Sequence, residues 1–396
     1  MKDYQKWQVE FEEVLRKDFA CLSRPTAKNL IHLVFALIML LRTPRGWYGK
    51  ISLSGIARTF PTEGTLRSRY KRLHRFLDNS HFKMEDLSEG LVHLAKGKEE
   101  GKLLPLAIDQ TAIGDVQILA GSYPIKARAI PVAMTTFEYG HIKKSQNHLE
   151  ETFLVKLASS LPKDLRPVWI MDRGYGRASL LRFCRLHSFL YIIRGRRDVM
   201  VEYREKGKVY RRGLGRLKHR QGKARRYSGA LYQGKSKEKV DIIVYREKGF
   251  KEPWFLLVPA FSEKLLPTEL VIDWYRSRMN IETSFRDFKS LLGVRGISLK
   301  VRKAKRLNRL LAGIVLIYIL LLVLGVSELG KELRRKLEIV RHRARHGTKR
   351  TLSILSLALM AITDTFLLNN CNLTKVLVNC LKKLGEDQVF VSPLLG

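Results

Sequence analysis

The segment YRSRMNIETSFRDFK, residues 275–289, places the carboxylate of Glu282 among groups that can bind phosphate. Tyr275, Arg278, Glu282 and Lys289 follow one another at steps of three, four and seven residues. At about 100° per residue, these steps put the four side chains within roughly 60° of one another on one helix. An i,i+4 ion pair between Arg278 and Glu282 is the simpler alternative, but it explains neither the tyrosine nor the lysine. The spacing therefore predicts a single helix, ending at Leu292–Gly293, with these groups on one stripe.

Two further acids follow apolar stretches that are typical of buried strands. Asp109 ends the strand predicted within LLPLAIDQTAI, and Asp172 ends the strand predicted within VWIMDRGYG. Side chains at strand ends project from a rigid support. With Glu282, these acids supply three carboxylates, which suffice for a site where two Mg²⁺ ions promote phosphodiester cleavage. Arg173 is a candidate phosphate contact beside Asp172, with a surface or packing role as its alternative.

The composition favours a nucleic-acid partner. The 396 residues carry 74 Lys and Arg against 37 Asp and Glu, a formal net charge of +37. Such an excess repels itself unless a polyanion neutralises it, and DNA fits better than the competing partner, an anionic membrane surface. The chain has no G-x-x-x-x-G-K-[ST] loop for ATP and no paired C-x2-C zinc motif. Its four cysteines are expected to be reduced core residues of a cytoplasmic protein: Cys21, Cys184, Cys371 and Cys380.

Residues 1–100 are predicted to be a helical DNA-binding region. The sequence ISLSGIARTFPTEGTLRSRYKRLHRFL, residues 51–77, favours two short helices separated by a turn. Leucines and a tyrosine at helical spacing should face inward: Leu66, Tyr70, Leu73 and Leu77. Basic residues cover the rest of the second helix, with Arg69 and Arg72 as candidate DNA contacts in a helix-turn-helix arrangement. A solvated basic face on a small helical bundle is the alternative.

Alternating apolar residues predict an α/β architecture after residue 100. We expect the following ranges: a catalytic core over 101–195 and 267–330, a β-rich insertion over 196–266, and a helical C-terminal region over 331–396. Residues 194–226 carry 14 Lys and Arg against three acids. They are predicted to form a basic loop facing DNA, and the strands on both sides argue against the alternative, a disordered tail.

One apolar run has the composition of a membrane span. Leu310–Val326 contains 17 uninterrupted apolar residues, which is near the lower limit for crossing a bilayer. The same length suits a helix that is buried on all sides within a large domain. We predict the buried core helix, and hence a protein that does not enter the membrane.

The motifs together resemble the DDE transposases of bacterial insertion sequences, specifically the insertion-sequence-4 family. The signature of that family, Y-x2-R-x3-E-x6-K, is matched at every interval by the segment that begins at Tyr275. AIDQT contains the first acid, and MDRGYGR resembles the D-R-G-Y segment around the second. The resemblance extends from about residue 55 to residue 330.

This resemblance implies an RNase H-like catalytic core, a mixed sheet flanked by helices, with a β-rich insertion. It implies that Asp109, Asp172 and Glu282 bind two Mg²⁺ ions, for which Mn²⁺ can substitute. Tyr275, Arg278 and Lys289 would hold the phosphates of the transposon end. Trp254 would stack on an extruded base, although it could equally be a buried strand aromatic.

The implied reaction is cut-and-paste transposition through a hairpin intermediate. The expected partners are double-stranded DNA, both transposon ends and target, and a second copy of the chain in a paired-end complex. The expected location is the prokaryotic cytoplasm, in association with the nucleoid. Two other functions remain open: a transposon-derived DNA-binding protein without activity, and a structure-selective nuclease that cuts without joining.

Overall fold

The structure is a computed structural model that describes residues 2–42, 51–96, 102–125, 127–142, 144–233, 237–297, 299, 303–338, 352–363, 376, 379 and 380. Its helices are α1 (Lys2–Asp18), α2 (Arg24–Leu41), α3 (Leu53–Thr59), α4 (Leu66–Leu77), α5 (Ser88–Lys96), α6 (Gln146–Ser159), α7 (Ala178–Leu186), α8 (Thr268–Ser277), α9 (Met279–Arg286), α10 (Lys303–Val326), α11 (Glu328–Leu337) and α12 (Ile354–Thr363). Cys371 and most of the predicted C-terminal helical region lie outside the described residues.

Ten strands form one continuous mixed sheet in the order β3-β2-β1-β4-β5-β10-β9-β8-β6-β7. β2 pairs antiparallel with β1 and with β3, whereas β4 pairs parallel with both β1 and β5. The strands are β1 (Leu103–Ile113), β2 (Val116–Ile125), β3 (Arg128–Phe137), β4 (Arg166–Met171), β5 (Leu190–Arg194), β6 (Met200–Glu205), β7 (Lys208–Gly213), β8 (Arg225–Gln233), β9 (Lys237–Tyr245) and β10 (Trp254–Pro259). The predicted mixed sheet flanked by helices is thereby confirmed.

The central strands are buried on both faces. Val168 and Ile170 of β4 pack in a core that Val271 of α8 completes. Trp169 and Met171, which alternate with them, belong to the larger core on the opposite face. Successive strand side chains point to opposite faces, so this near-continuous apolar strand needs cover on both sides. The result is a rigid central support whose polar groups emerge only where the strands end.

The β-rich segment over 196–266 extends the same sheet. β10 pairs antiparallel with β5 at Leu256↔Arg194, and β9 and β8 follow outward from β10. The prediction of a basic loop at 194–226 is wrong in part, because β6 and β7 form a hairpin inside this stretch. Tyr203 and Tyr210 stack across the hairpin with ring centroids 5.5 Å apart, a cross-strand pairing that favours the sheet over a loop.

α10 contains the apolar run Leu310–Val326, and 94% of its most apolar 18-residue stretch is buried. It packs against β3, α2 and α12. The predicted core helix is therefore confirmed. By length and composition alone, α2 and α10 are both long and apolar enough to cross a membrane, which is weak evidence because core helices meet the same criterion.

The predicted pair of short helices corresponds to α3 and α4. The Thr65 hydroxyl caps α4 by accepting a hydrogen bond from the Ser68 amide. Leu73 and Leu77 are buried and Tyr70 is half-buried. The inward position predicted for Leu66 is wrong: it is 49% exposed, and Arg67 and Ser68, which follow it at the start of α4, are exposed as well.

Two cysteines are buried as expected, Cys184 and Cys380, whereas Cys21 is exposed. The prediction of a core thiol at Cys21 is therefore wrong. It lies in the turn between α1 and α2, where its thiol donates to the Asp86 carbonyl.

Candidate active site

The strand register places Asp109 beside Asp172. β1 and β4 pair in parallel as far as Ile108↔Met171. Asp109 and Asp172 are the residues that come directly after this last pair. Asp172 directly follows β4, as predicted. The prediction that Asp109 ends β1 is wrong, because β1 continues to pair with β2 through Ile113 after its pairing with β4 has stopped. Both acids are half-buried at the point where β1 and β4 separate.

The third acid comes from α9, which is fixed on the sheet by polar contacts. The Ser284 hydroxyl donates to the Ala129 carbonyl of β3 and accepts from the Ala129 amide. The Asn280 amide donates to the Ile125 carbonyl at 2.8 Å. These bonds set the rotation of α9, so that the Glu282 carboxylate, 49% exposed, faces the edge where the other acids lie.

Arg278 connects the first acid to the third. Its Nη1 is 3.2 Å from Asp109 Oδ2, and its Nη2 is 3.0 Å from Glu282 Oε1. The Arg278 side chain is only 6% exposed. The ion pair with Glu282, the simpler alternative for this segment, is therefore present, but Arg278 also bridges to an acid on a different element. A guanidinium so placed neutralises carboxylates that would otherwise repel one another.

Tyr275 approaches the second acid. It is buried, its hydroxyl lies 3.4 Å from Asp172 Oδ1, and its ring centroid is 5.9 Å from Arg278 Cζ. Trp254 is half-buried at the start of β10 and packs edge-on against Tyr275, with ring centroids 5.2 Å apart. The structure thus brings Tyr275 and Trp254, 21 residues apart in the chain, into contact.

The three carboxylates lie near one another, and Asp109 is partly removed from water. Burial raises the pKa of Asp109, and the negative charges of Glu282 and Asp172 raise it further, against the opposing effects of the Gln110 amide and Arg278. Burial raises the pKa of Tyr275 to about 12, so its phenol is a hydrogen-bond donor at neutral pH. The site therefore holds more negative charge than one guanidinium compensates.

Among the described residues, no three acidic, histidine or cysteine side chains approach closely enough to hold a metal ion as they stand. The donor set nevertheless fits a hard divalent cation, because it consists of three carboxylates from three elements. Arg278 lies between two of them. Arg278 therefore competes with a cation for one oxygen of Asp109 and one of Glu282.

The prediction of one regular helix is wrong at two places. A turn at Arg278 separates α8 from α9, and residues Asp287–Leu291 form a π-helical turn before Gly293 ends the helix with a φ of +68°. The wider i→i+5 turn changes the position of Lys289 around the axis. Lys289 is half-buried, and burial together with Arg295 lowers its pKa.

Among the described residues, the other arginines predicted to contact DNA, Arg173, Arg69 and Arg72, form no ion pair with the three acids. Arg173 is exposed in the 3-10 turn after Asp172 and has no ion-pair partner within the described ranges. Arg69 and Arg72 lie on α4 in the N-terminal helical region, and both are half-buried. The structure does not bring Arg69 or Arg72 into hydrogen-bond contact with the three acids, as far as the described residues extend.

Arg194 is a site residue that sequence reasoning missed. β4 and β5 pair in parallel at Met171↔Ile193, so Arg194, the last residue of β5, lies beside Asp172. Its positive charge opposes the rise in the pKa of Tyr275, and its Nη2 lies 3.6 Å from Glu252 Oε2. The available signal in the sequence was an arginine directly after an apolar stretch, but its neighbour Asp172 could be identified only from strand order.

A second missed feature supports the turn after Asp172. Arg177 Nη2 donates to buried Glu150 Oε2 at 2.7 Å, which ties this turn to α6. Tyr175 is buried in the same turn. Burial raises the pKa of its phenol, and the negative charges of Glu150 and Asp109 raise it further. The motif DRGYGR therefore supplies packing and an ion pair in addition to the acid.

Residues 141–320 match the family model described as Transposase DDE domain. This range includes Asp172, Tyr275, Arg278, Glu282 and Lys289, and it begins after Asp109. The match supports a DDE transposase, and with it a DNA substrate and divalent-metal chemistry in general. No curated protein matches the chain.

Proposed function

We propose that this chain is a cut-and-paste transposase of the insertion-sequence-4 type, acting at the terminal inverted repeats of an insertion sequence. The observation that carries the proposal is the convergence of Asp109, Asp172 and Glu282 from two adjacent strands and one helix. The match to a transposase DDE domain supports it. The mixed sheet with helices on both faces is compatible with an RNase H-like core.

Asp109, Asp172 and Glu282 would hold the divalent ions, two Mg²⁺ in this proposal, with Mn²⁺ as a substitute. The mutual repulsion that raises the pKa of Asp109 is what a bound cation relieves. When bound, such ions polarise the phosphate and activate the attacking oxygen. The remaining contributions come from the side chains around the acids.

Arg278 has two terminal amino groups, each of which now contacts a carboxylate. Bidentate binding of a phosphate is the geometry that guanidinium favours, so Arg278 exchanges its carboxylates for a DNA phosphate as substrate enters. Tyr275 donates to Asp172 and fixes the orientation of that carboxylate. Arg194 and Lys289 are further cations that can contact the DNA backbone, and positioning of this kind lowers the entropic cost of the reaction.

Each chemical step is a displacement at phosphorus in which one oxygen–phosphorus bond forms and another breaks. Water first cuts one strand at the transposon end and frees a 3′-hydroxyl. That hydroxyl attacks the opposite strand to form a hairpin, whose hydrolysis restores the 3′-hydroxyl for attack on target DNA. Trp254 offers an aromatic face for the base that is extruded at the hairpin, which offsets an unstacking cost of a few kcal/mol. Two copies of the chain would hold the two ends.

The decisive test is Glu282→Gln, assayed on a duplex carrying the element's own terminal repeat. The substitution removes a charge from a half-exposed side chain and keeps its size, so end binding should persist while Mg²⁺-dependent nicking is lost. A strand-transfer assay of the wild-type protein then distinguishes a transposase, which joins, from a nuclease, which only cuts. Mg²⁺-dependent nicking by pure Glu282→Gln protein would contradict the assignment of the third acid.

A further inference from the structure

The basic residues of α4 lie close together on one short helix. Some arginines elsewhere in the described residues pair with carboxylates, as in Arg177–Glu150, Arg226–Asp241 and Arg306–Asp78, and others, such as Arg173, do not. Within the described ranges, five cations of α4 form no ion pair: Arg67, Arg69, Lys71, Arg72 and Arg75. A 12-residue helix therefore carries five positive charges that the protein itself does not neutralise.

Two of these cations line a groove between α2 and α4. The groove encloses about 460 Å³, and its walls include Thr26 and Asn29 of α2 with Arg72, Arg75 and Asn79 at the other side. No carboxylate is among the residues that line it. A groove with two arginines and two amides, and with no acid to compete, has the chemistry of an anion site.

The orientation of Arg72 is set by a relay of hydrogen bonds. Asn29 Nδ2 donates to the Pro25 carbonyl at 2.9 Å, which fixes the side-chain amide, and Asn29 Oδ1 accepts from Arg72 Nε at 3.0 Å. Only Nε is used in this way. The two terminal amino groups of Arg72 have no protein partner among the described residues and remain available to a ligand in the groove.

The positive charges of this region also act on the buried side chain of His32. Burial lowers the pKa of His32 to about 4, and the charges of Arg72 and Lys28 act in the same direction. Cations that oppose the protonation of a nearby histidine would likewise attract an anion.

We propose that the groove between α2 and α4 binds a phosphate of the DNA backbone through Arg72 and Arg75, with Asn29 as a positioning residue. The inference rests on the proposed function for the identity of the polyanion. A guanidinium held at Nε presents its other donors in the geometry that phosphate accepts. The groove lacks an exposed aromatic ring for base stacking, since Phe76 is buried. This contact would fix the position of α4 on the duplex without reading its sequence.

The test is a salt titration of DNA binding without divalent metal, using the full chain and two duplexes of equal length and unrelated sequence. Loss of one phosphate contact should reduce the slope of log K against log salt by about 0.9 and weaken binding about fivefold near 0.15 M salt. We expect this from Arg72→Gln and from Arg75→Gln, equally on both duplexes, and a smaller loss from Asn29→Ala. The matched control is Arg67→Gln, which removes the same charge from an exposed position of α4 outside the groove.

Unchanged slopes in Arg72→Gln and Arg75→Gln, or slopes equal to that of Arg67→Gln, would overturn the proposal. So would a loss confined to one of the two sequences, because that is the behaviour of a base contact. Circular dichroism melting shows whether each variant is folded, and exposed Arg75 provides a substitution with little structural cost. Because no metal is present, the outcome is independent of nicking by wild-type protein and by Glu282→Gln, which tests the proposed function itself.

Discussion

Replacing Arg278 by glutamine should destabilise the metal-free protein and make its stability depend on Mg²⁺. The guanidinium is 6% exposed and contacts Asp109, itself only 22% exposed, and Glu282, which is 49% exposed. Removing one partner of a buried ion pair costs about 3–5 kcal/mol, whereas an exposed pair contributes about 0–1 kcal/mol. Because this contact is partly open to solvent, we expect a loss of about 2–3 kcal/mol.

Bound Mg²⁺ should restore most of that loss. A ligand that binds only the folded state at 100 times its Kd adds about 2.7 kcal/mol to the free energy of unfolding, which is close to the expected deficit. The wild-type protein should gain less from the same Mg²⁺ concentration, because Arg278 competes with the cation for one oxygen of Asp109 and one of Glu282. The measurement is urea unfolding of both proteins in EDTA and across a Mg²⁺ series.

The control is Arg276→Gln, two residues earlier on α8. Arg276 is 45% exposed and pairs with Glu247 and Asp273 on the surface. Its replacement should cost less than about 1 kcal/mol and leave the Mg²⁺ response as in wild type. If Arg278→Gln behaves like Arg276→Gln, or if its stability loss is the same with and without Mg²⁺, Arg278 does not serve as the counter-charge of the acids.

Three further outcomes are expected. Lys289→Gln should weaken binding to the transposon end and lower its salt slope by about one; an unchanged slope would show that Lys289 contacts no phosphate. Trp254→Ala should slow hairpin formation more than first-strand nicking in a gel assay, because only the former needs an extruded base, and equal slowing would instead indicate loss of the packing against Tyr275. The folded-state pKa of His32 is about 4, below its ordinary 6.5, so its contribution to stability is present above pH 6.5 and is lost as the pH falls toward 4; a thermal-melt series should show a weaker pH dependence over that range in His32→Gln than in wild type.

Local patterns of apolar residues in the sequence predicted much of the fold. A short apolar stretch predicted β4, and the uninterrupted run in α10 predicted a core helix. The errors arose where a neighbour in space decided the outcome. β1 continues past Asp109 because β2 still pairs with it, and the basic stretch folds into the β6–β7 hairpin through cross-strand tyrosines.

By itself, the sequence determined which residues can carry the chemistry. Helix and strand periods are local properties of the backbone, so the spacing from Tyr275 to Glu282 specified a shared face. Asp109 and Asp172 were marked by the apolar stretches that precede them. Only the tertiary structure decided what those residues touch. Arg278 bridges two acids 173 residues apart, and Arg194 lies beside Asp172, because the order and register of β1, β4 and β5 bring them together. Those pairings depend on contacts between distant segments, which no local period encodes.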